Sequence, residues 1–146
     1  MKNNVSTELL TLHFTLWELT RSGTAIRLRI ENRPSPVHIR RLRALCTAVL
    51  EPLRARFGAI RVTSGYRCEA LNRAVGGVET SQHLLGEAAD IHVASRGEAL
   101  RMMRFIADRL PFDQLILERS YRSGAGWIHV SYRSDGLPNR HQVIGL

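Results

Sequence analysis

The segment from residue 36 to residue 56 constrains the fold of this chain more than any other. Apolar residues recur in it at steps of three and four, which places them along one face of a helix. Ser35 can cap that helix, Pro36 suits its first position, and Gly58 follows its end. We therefore predict a long amphipathic helix that packs on the core through Leu42, Leu45, Cys46, Val49, Leu50, Leu53 and Phe57.

Besides this helix, the chain contains shorter helix-like and strand-like segments. The helical ones are a turn near Trp17 with a Thr15/Glu18 capping box, residues 68–75, and a helix from Ser95 to Leu110 with a Ser95/Glu98 capping box. The strand-like ones are residues 60–63, 88–93, 113–118 and 127–132, of which the last two form a predicted hairpin. Strands and helices are mixed without a repeated strand–helix–strand unit. We therefore predict an α+β domain with a small, mainly antiparallel sheet packed against helices.

The length and the segment composition bound the class of protein. A chain of 146 residues suffices for one domain with a substantial core and is too short for two of ordinary size. No apolar run approaches the roughly 18 residues of a membrane helix, and the N-terminus lacks the pattern of a signal peptide. We therefore expect no membrane span and synthesis in the cytoplasm without a signal peptide. Cys46 and Cys68 are not expected to form a disulfide.

The charge of the chain indicates anionic surroundings. The formal net charge is +8, and it comes from 20 arginines and a single lysine against 13 acidic residues. Such a surface favours nucleic acid, anionic glycopolymers or a bacterial envelope. The arginines are spread along the whole chain, aromatic residues make up 6%, and no nucleic-acid-binding motif occurs. We therefore do not expect a nucleic-acid partner, whereas anionic cell-wall polymers remain compatible with this charge.

The stretch SQHLLGEAADIHV, residues 81–93, contains candidate metal ligands. A hydrolytic zinc site needs three protein ligands, usually imidazoles and carboxylates, and an open position for water. His83 in a loop and Asp90 on the following strand could provide two of them, and Gly86 would let the chain turn between them. His129 in the last strand-like segment is the best candidate for the third. His13, His38 and His141 are weaker choices.

A second histidine of this stretch leaves an alternative open. His92 lies two residues after Asp90, so on a strand both side chains face the same side. His92 could therefore replace or support Asp90 at the metal. We favour a supporting position that does not touch the metal, because a catalytic zinc usually takes three side chains.

Three sequence elements together resemble one family. The pattern S-x-H-x-x-G-x-A-x-D is met by Ser81, His83, Gly86, Ala88 and Asp90, and a downstream W-x-H is met by Trp127 and His129. Upstream, SGYRCEALNRAVGG is similar to the S-G-Y-R-x-x-x-L-N element of the same proteins. The chain thereby resembles the zinc D-alanyl-D-alanine carboxypeptidases, whose fold is shared with hedgehog signalling domains. The resemblance covers about residues 15–132, within a single domain of residues 1–146 that ends in a polar tail, 133–146.

The resemblance implies a chemistry and a set of site residues. It implies a zinc peptidase of peptidoglycan stem peptides, with His83, Asp90 and His129 as zinc ligands. Arg67 matches the family arginine that holds a substrate carboxylate or carbonyl, a task suited to a planar fork of donors. Ser81 matches a serine near the substrate, although a serine there can equally cap the loop. Trp127, like His92, is expected beside the site without touching the metal.

The general base is where this chain departs from the better-known members. Many of them carry E-x-x-H, with a glutamate three residues before the last ligand, whereas this chain has Gly126 there. Glu118 is the alternative, because a 113–118/127–132 hairpin would bring it across from the strand of His129. It resembles the glutamate of a phage-associated branch with the same Q-L-I-x-E and W-x-H segments. From there it could accept a proton from water and return it to the leaving amine. Glu87, inside the motif, is a weaker candidate.

Two functions are compatible with these residues. The first is a zinc-dependent carboxypeptidase or endopeptidase of peptidoglycan, encoded by a phage or prophage and resembling an endolysin. Such an enzyme would reach the cell wall after holin-type release or as a component of the virion. The second is a non-catalytic, zinc-containing cell-wall-binding domain of the same fold, which the missing E-x-x-H would explain. The sequence does not predict which peptide bond is cut.

Overall fold

The computed structural model describes residues 8–119 and 126–145, and the architecture below is that of these residues. Its helices are α1 (Gly23–Leu28), α2 (Pro36–Leu45), α3 (Glu51–Phe57), α4 (Glu69–Ala74) and α5 (Arg96–Arg109), with a π-helical turn at Cys46–Leu50 and a 3₁₀ turn at Gln82–Leu85. Its strands are β1 (Val62–Ser64), β2 (Ala88–His92), β3 (Gln114–Arg119), β4 (Gly126–Ser131) and β5 (Gln142–Ile144). The predicted α+β class is confirmed.

The long amphipathic helix forms as predicted, but it contains an irregular turn. α2, the π turn and α3 follow one another without a break, from Pro36 to Phe57. Pro52 lies two residues after the π segment, and it has no N–H to donate to the carbonyl of Ala48. A widened turn accommodates such a missing bond. The helix ends at Gly58, whose φ of 84° suits glycine.

The five described strands form one sheet in the order β1-β2-β4-β3-β5. Three of the pairings are antiparallel, whereas β5 lies parallel to β3. The predicted hairpin is confirmed as β3–β4, and its loop, residues 120–125, lies outside the described residues. The predicted strand at 60–63 lies slightly later, at Val62–Ser64. The segment interpreted from sequence as a polar tail contributes β5, which the alternation pattern did not predict.

One face of the sheet packs against the helices, and the other is open. Ile128 and Val130 of β4 are fully buried, while Trp127 and His129 on the opposite face are only partly covered. This alternation is the normal consequence of a two-residue period in a strand. α5 contacts both β3 and β4, and α3 contacts α5. Side chains that bind a metal or a substrate are therefore expected on the open face of the sheet.

The predicted capping box at Thr15 and Glu18 is complete, and residues 16–20 after Thr15 form a turn rather than a helix. At Ser95 one half of the predicted box is present, because the Glu98 carboxylate accepts from the Ala94 N–H and not from Ser95. Thr15 and Glu18 exchange backbone-to-side-chain hydrogen bonds, and Ser95 accepts from the Glu98 N–H. The buried face of α5 consists of Ala99, Met102, Met103 and Ile106. None of the helices described is long and apolar enough to cross a membrane.

Candidate metal centre

His83, Asp90 and His129 meet on the open face of the sheet. Three of their atoms, one from each side chain, lie within 4.8 Å of one another. Asp90 is central: its Oδ1 is 3.3 Å from Nε2 of His83 and 3.1 Å from Nδ1 of His129. His83 and Asp90 are buried and His129 is partly exposed. The structure thus brings together the three residues that the sequence singled out as metal ligands.

The strand register explains why Asp90 and His129 face each other. β2 and β4 are antiparallel, and Asp90 is the direct partner of His129 across them. Directly paired residues of an antiparallel sheet project on the same face with their Cβ atoms about 4.5–5.5 Å apart. A carboxylate on one strand and an imidazole on the next therefore converge without any special loop geometry.

The position of His83 depends on a short turn and on one backbone carbonyl. The 3₁₀ turn that carries His83 begins at Ser81, whose hydroxyl accepts from the His83 N–H at 3.2 Å. It ends at Gly86, whose φ of 77° lies in the left-handed region that favours glycine. Nδ1 of His83 is 2.6 Å from the carbonyl oxygen of Gly65, to which it must donate. A side chain at Gly65 would collide with the Leu19 carbonyl, so the S-G-Y-R element allows this approach.

The hydrogen bond to Gly65 makes the cluster a good cation site. Because Nδ1 of His83 carries the proton of the neutral ring, its Nε2 has a free lone pair that points at Asp90. Two acceptors at 3.3 Å require either a further proton or a cation between them. Ligands of a tetrahedral zinc at about 2.0–2.1 Å lie about 3.3 Å apart. The contacts of 3.1 and 3.3 Å to Asp90 fit that donor set.

Asp90 is set up to remain ionised. Burial on its own would raise the pKa of this carboxyl, but the adjacent imidazoles of His129 and His83 outweigh burial and hold the pKa well below the ordinary value. Nη2 of Arg67 adds an ion pair to Oδ2 at 3.3 Å. The carboxylate therefore presents Oδ1 to the histidines while its other oxygen is engaged.

Arg67 is held in place beside this carboxylate. Its Nε donates to the Ser64 hydroxyl at 3.0 Å and its Nη1 to Oδ1 of Asn72 at 3.3 Å. Burial lowers the pKa of Arg67, while the nearby carboxylates of Asp90 and Glu118 act in the opposite direction. A guanidinium remains charged under these conditions. Arg67 lines the cavity above the cluster, so its outer edge faces whatever enters there.

Glu118 lies on the same open face, at one end of the site. In the β3–β4 hairpin it is the direct partner of Trp127, and Trp127 is two residues from His129. Residues two apart in a strand project on the same face of the sheet, as do directly paired residues of neighbouring strands. Glu118, Trp127 and His129 accordingly line one cavity. The hairpin register on which the sequence-based choice of Glu118 depended is therefore present. Trp127 has a buried Nε1 without a partner among the described residues.

Gly126, where related proteins have a glutamate, leaves that position without a side chain. It pairs with Arg119, and a Cβ added to it would lie 3.2 Å from the Glu118 carbonyl oxygen. Glu87 is buried on the far side of the cavity, where burial raises the pKa of its carboxyl and the Gln82 amide donates to it at 3.4 Å.

The remaining histidines are separate from the cluster. His92 is exposed at the end of β2 and lines a different depression, with Val93 and Ser95. His13 pairs with Glu51, and His38 caps α2. His141 approaches the Ala107 carbonyl at 2.9 Å and packs on the Phe112 ring. Among the described residues, none of these four histidines belongs to the metal-type cluster, which consists of His83, Asp90 and His129.

One group of site residues was not predicted from sequence. The cavity that contains the metal-type cluster has a volume of about 760 Å³, and its wall includes Arg133 and Arg140 from the C-terminal segment. Both arginines approach the fully buried Asp113, which precedes β3. Arg133 and Arg140 are 20 and 27 residues from Asp113, and no local sequence pattern links them to it. Only the pairing of β5 with β3 indicates that they meet.

Comparison with known proteins agrees with this geometry. No individual curated protein sequence matches the chain. A family model does match it, over residues 12–131, and its description is Peptidase M15. The match spans the metal-type cluster and every strand except β5. The chain therefore belongs to the M15 family of zinc peptidases, as the motifs predicted.

Proposed function

We propose that this protein is a zinc peptidase that hydrolyses peptide bonds in the stem peptides of bacterial peptidoglycan. The observation that carries the proposal is the convergence of His83, Asp90 and His129 on the floor of an open cavity that also contains Arg67 and Glu118. Membership of the peptidase family supports hydrolysis of peptides in general. The peptidoglycan substrate is the finer part of the proposal and requires its own test.

In this proposal His83, Asp90 and His129 hold the zinc ion. When bound, zinc polarises the scissile carbonyl and lowers the pKa of water. Gly65 fixes the tautomer of His83, which keeps Nε2 free to bind a cation. Arg67 donates to Oδ2 of Asp90, which leaves Oδ1 directed toward the histidines and available to bind the ion. Such supporting contacts typically change metal affinity by 10- to 100-fold when they are removed.

Glu118 serves as the proposed general base. It shares the cavity with the cluster, and a carboxylate in this cavity would accept a proton from water and return it to the leaving amine. Trp127 is its direct partner on the neighbouring strand and lines the same cavity. Removal of such a group typically lowers the rate by 10²- to 10⁴-fold.

Arg67 and Ser81 are the proposed substrate contacts at one side of the cavity. The guanidinium of Arg67 is held by three partners and points its free edge into the cavity, where it can bind a carboxylate or carbonyl. Ser81 lines the same cavity, but its hydroxyl already accepts from the His83 N–H. Its contribution is therefore mainly to position His83.

The strongly cationic surface supports a cell-wall target. A net charge of +8 favours anionic wall polymers and accelerates association with them at low salt. We propose in addition that the protein acts at the wall as a phage or prophage lysis enzyme, after holin-type release or as part of a virion. A detectable loss of wall binding as salt is raised would support the electrostatic part of this proposal.

A specific observation favours one alternative. Gly126 removes the glutamate that precedes the last ligand in many relatives, so a non-catalytic, zinc-containing wall-binding domain is the second candidate. The two candidates differ in the consequence of losing Glu118. A catalytic base is essential for turnover, whereas a wall-binding domain does not need it.

The test is digestion of defined muropeptides by zinc-loaded protein, with products identified by mass. We expect chelator-sensitive release of D-alanine or of stem-peptide fragments, and the product identifies the bond that is cut. Glu118→Gln should lower kcat by 10²- to 10⁴-fold while zinc content is retained. Asp108→Asn, which alters an exposed carboxylate on α5, is the matched control and should be fully active.

Two outcomes count against the proposal. Zinc-loaded protein that cleaves no peptidoglycan peptide but still binds sacculi would favour the wall-binding domain. Full activity of Glu118→Gln would remove Glu118 from the mechanism and leave the rest of the proposal intact.

A further inference from the structure

The C-terminal segment, residues 132–144, lies beyond the part of the chain that matches the family, yet it forms one wall of the catalytic cavity. Three contacts attach it to the sheet. Tyr132 donates its N–H to the Glu87 carbonyl, Gln142 donates to the Asp113 carbonyl, and β5 then pairs with β3. Asn139 closes the loop between them through two hydrogen bonds with the Arg133 backbone. This wall is therefore a constructed part of the site.

Two guanidinium groups in this wall share a single carboxylate. Arg140 binds Asp113 with two donors, Nε at 3.0 Å from Oδ1 and Nη2 at 2.7 Å from Oδ2. Nε of Arg133 is 3.4 Å from Oδ2 of the same carboxylate. Oδ2 also accepts from the Gln82 amide at 3.1 Å. Asp113 is saturated by these groups, so its one negative charge is opposed by two positive charges.

The surplus positive charge faces the cavity. Arg133 and Arg140 both line it, and the side chain of Arg133 is 26% exposed. Within the described chain, the weak contact with Asp113 is the one ion pair of Arg133 that falls within 4.0 Å. Glu87 is a second buried carboxyl group in the lining of this cavity, and burial raises its pKa, which reduces its value as a counter-charge. Asp135 also lines the cavity and offsets part of the charge.

The position of Arg133 relative to the metal-type cluster defines what it can reach. It follows His129 by four residues, which is at most about 13 Å of extended chain. Arg67 follows β1 on one side of the cluster, whereas Asp113 and Arg140 precede β3 and β5 on the other side, and Arg133 extends from the end of β4 to contact Asp113. A peptide that crosses the cluster would therefore meet one arginine on each side of its reacting bond.

We propose that Arg133 binds a second carboxylate of the substrate, two or three residues from the bond that is cleaved, with Arg140 and Asp113 holding it in position. The inference rests on the proposed peptidase function and narrows its substrate to peptides with an acidic group on each side of the scissile bond. Arg67 takes the group on one side, and Arg133 takes the group on the other. A guanidinium suits this task because its fork of donors matches a carboxylate.

The test compares two pentapeptide stems that differ in one group. One carries D-glutamate with a free α-carboxylate at its second position, and the other carries the same residue as the α-carboxamide. For the wild-type protein we expect kcat/KM to be about tenfold higher for the acid, mainly through KM. Arg133→Gln should abolish this preference while kcat for the amide changes less than about twofold. Arg133→Lys should restore part of the preference, because the charge returns without the fork.

Arg104→Gln, at an exposed position on α5, is the matched control and should keep the preference for the acid. Equal preference in the wild type and in Arg133→Gln would overturn the inference while leaving the peptidase function standing. If the wild type cleaves neither peptide, the proposed function fails separately. Calorimetric titration of the zinc-loaded protein with the same two peptides then decides the inference, since tighter binding of the acid that depends on Arg133 supports it and equal binding rejects it.

Discussion

Two clusters of this protein are each built around one buried aspartate that an arginine contacts, and the other partners of the two aspartates differ in kind. Asp113 is surrounded by guanidinium and amide donors, each of which carries its own protons. Asp90 is faced by two imidazoles, and the proton of His83 is committed to Gly65. The first cluster is complete as it stands, whereas the second has acceptors directed at one another. Buried carboxylates can thus serve either structure or metal binding, and the partner type distinguishes the two.

The largest difference between the clusters is expected when the aspartate of each loses its charge. Asp90→Asn replaces a ligand-type oxygen by an amide and should lower zinc content after gel filtration to under about a tenth of the wild-type value, with activity lost. Asp113→Asn should retain zinc, because Asp113 is not one of the three residues of the candidate metal group. Metal analysis of both proteins checks this. Equal zinc loss in the two variants would mean that the clusters are not functionally separate.

The second expected difference concerns stability. Asp113→Asn leaves two arginines facing an amide, so the free energy of unfolding should fall by about 2 kcal/mol. The loss is no larger because Arg140 is partly exposed and water solvates its charge. Urea unfolding of metal-free protein measures it. A matched change at the exposed Asp108 should be within about 0.5 kcal/mol of the wild type. Unchanged stability in Asp113→Asn would remove the structural role of this cluster.

The same variant has a defined pH dependence. Hydrogen bonds from Arg140 lower the pKa of Asp113 to about 2. A lowered pKa in the folded protein means that the stabilisation is present above the unfolded value of about 3.9 and is lost as pH falls toward about 2. The difference in unfolding free energy between wild type and Asp113→Asn should therefore shrink between about pH 4 and about pH 2. A difference that stays constant across this interval would contradict the ion-pair explanation.

The smallest effect is expected at the residue that lies between the two clusters. Gln82 precedes His83 and donates to both Asp113 and Glu87. Gln82→Ala should lower the free energy of unfolding by about 1 kcal/mol and change zinc affinity less than about threefold. Gln114→Ala, which removes a more exposed amide contact, serves as the control. A tenfold loss of zinc affinity in Gln82→Ala would show that the clusters are coupled.

The same contrast explains how far sequence reasoning could reach. The metal-type cluster was predictable because two of its residues lie in one short motif and the third follows a distinct W-x-H pattern. The long helix and the β3–β4 hairpin were predictable because their periodicity and caps are local. By contrast, Asp113 and Arg140 are 27 residues apart and meet through a parallel pairing of β5 that has no local signal.

Backbone partners were also beyond sequence reasoning. The carbonyl of Gly65 orients His83, and a carbonyl is present at every residue, so no residue type marks it. Glu118 was correctly expected to lie near His129 because the hairpin register follows from which strand faces are buried. Its catalytic role is a separate question that the strand register does not answer.

The π turn at Cys46–Leu50 affects the metal loop through the rotational phase of the helix. Arg41 of α2 donates to the Leu85 carbonyl, and the His38 backbone lies against Gly86. Each residue of an α-helix advances the face by about 100°. A π turn holds one residue more than the α-helical turn it replaces, so deleting one residue at Cys46–Leu50 should restore a regular α-helix and keep Arg41 and His38 against the loop. The same deletion between Leu42 and Leu45 should rotate both residues away from the loop by about 100°. The extra residue of the π turn therefore preserves the phase of α2, and with it the helix contacts that support the loop around His83.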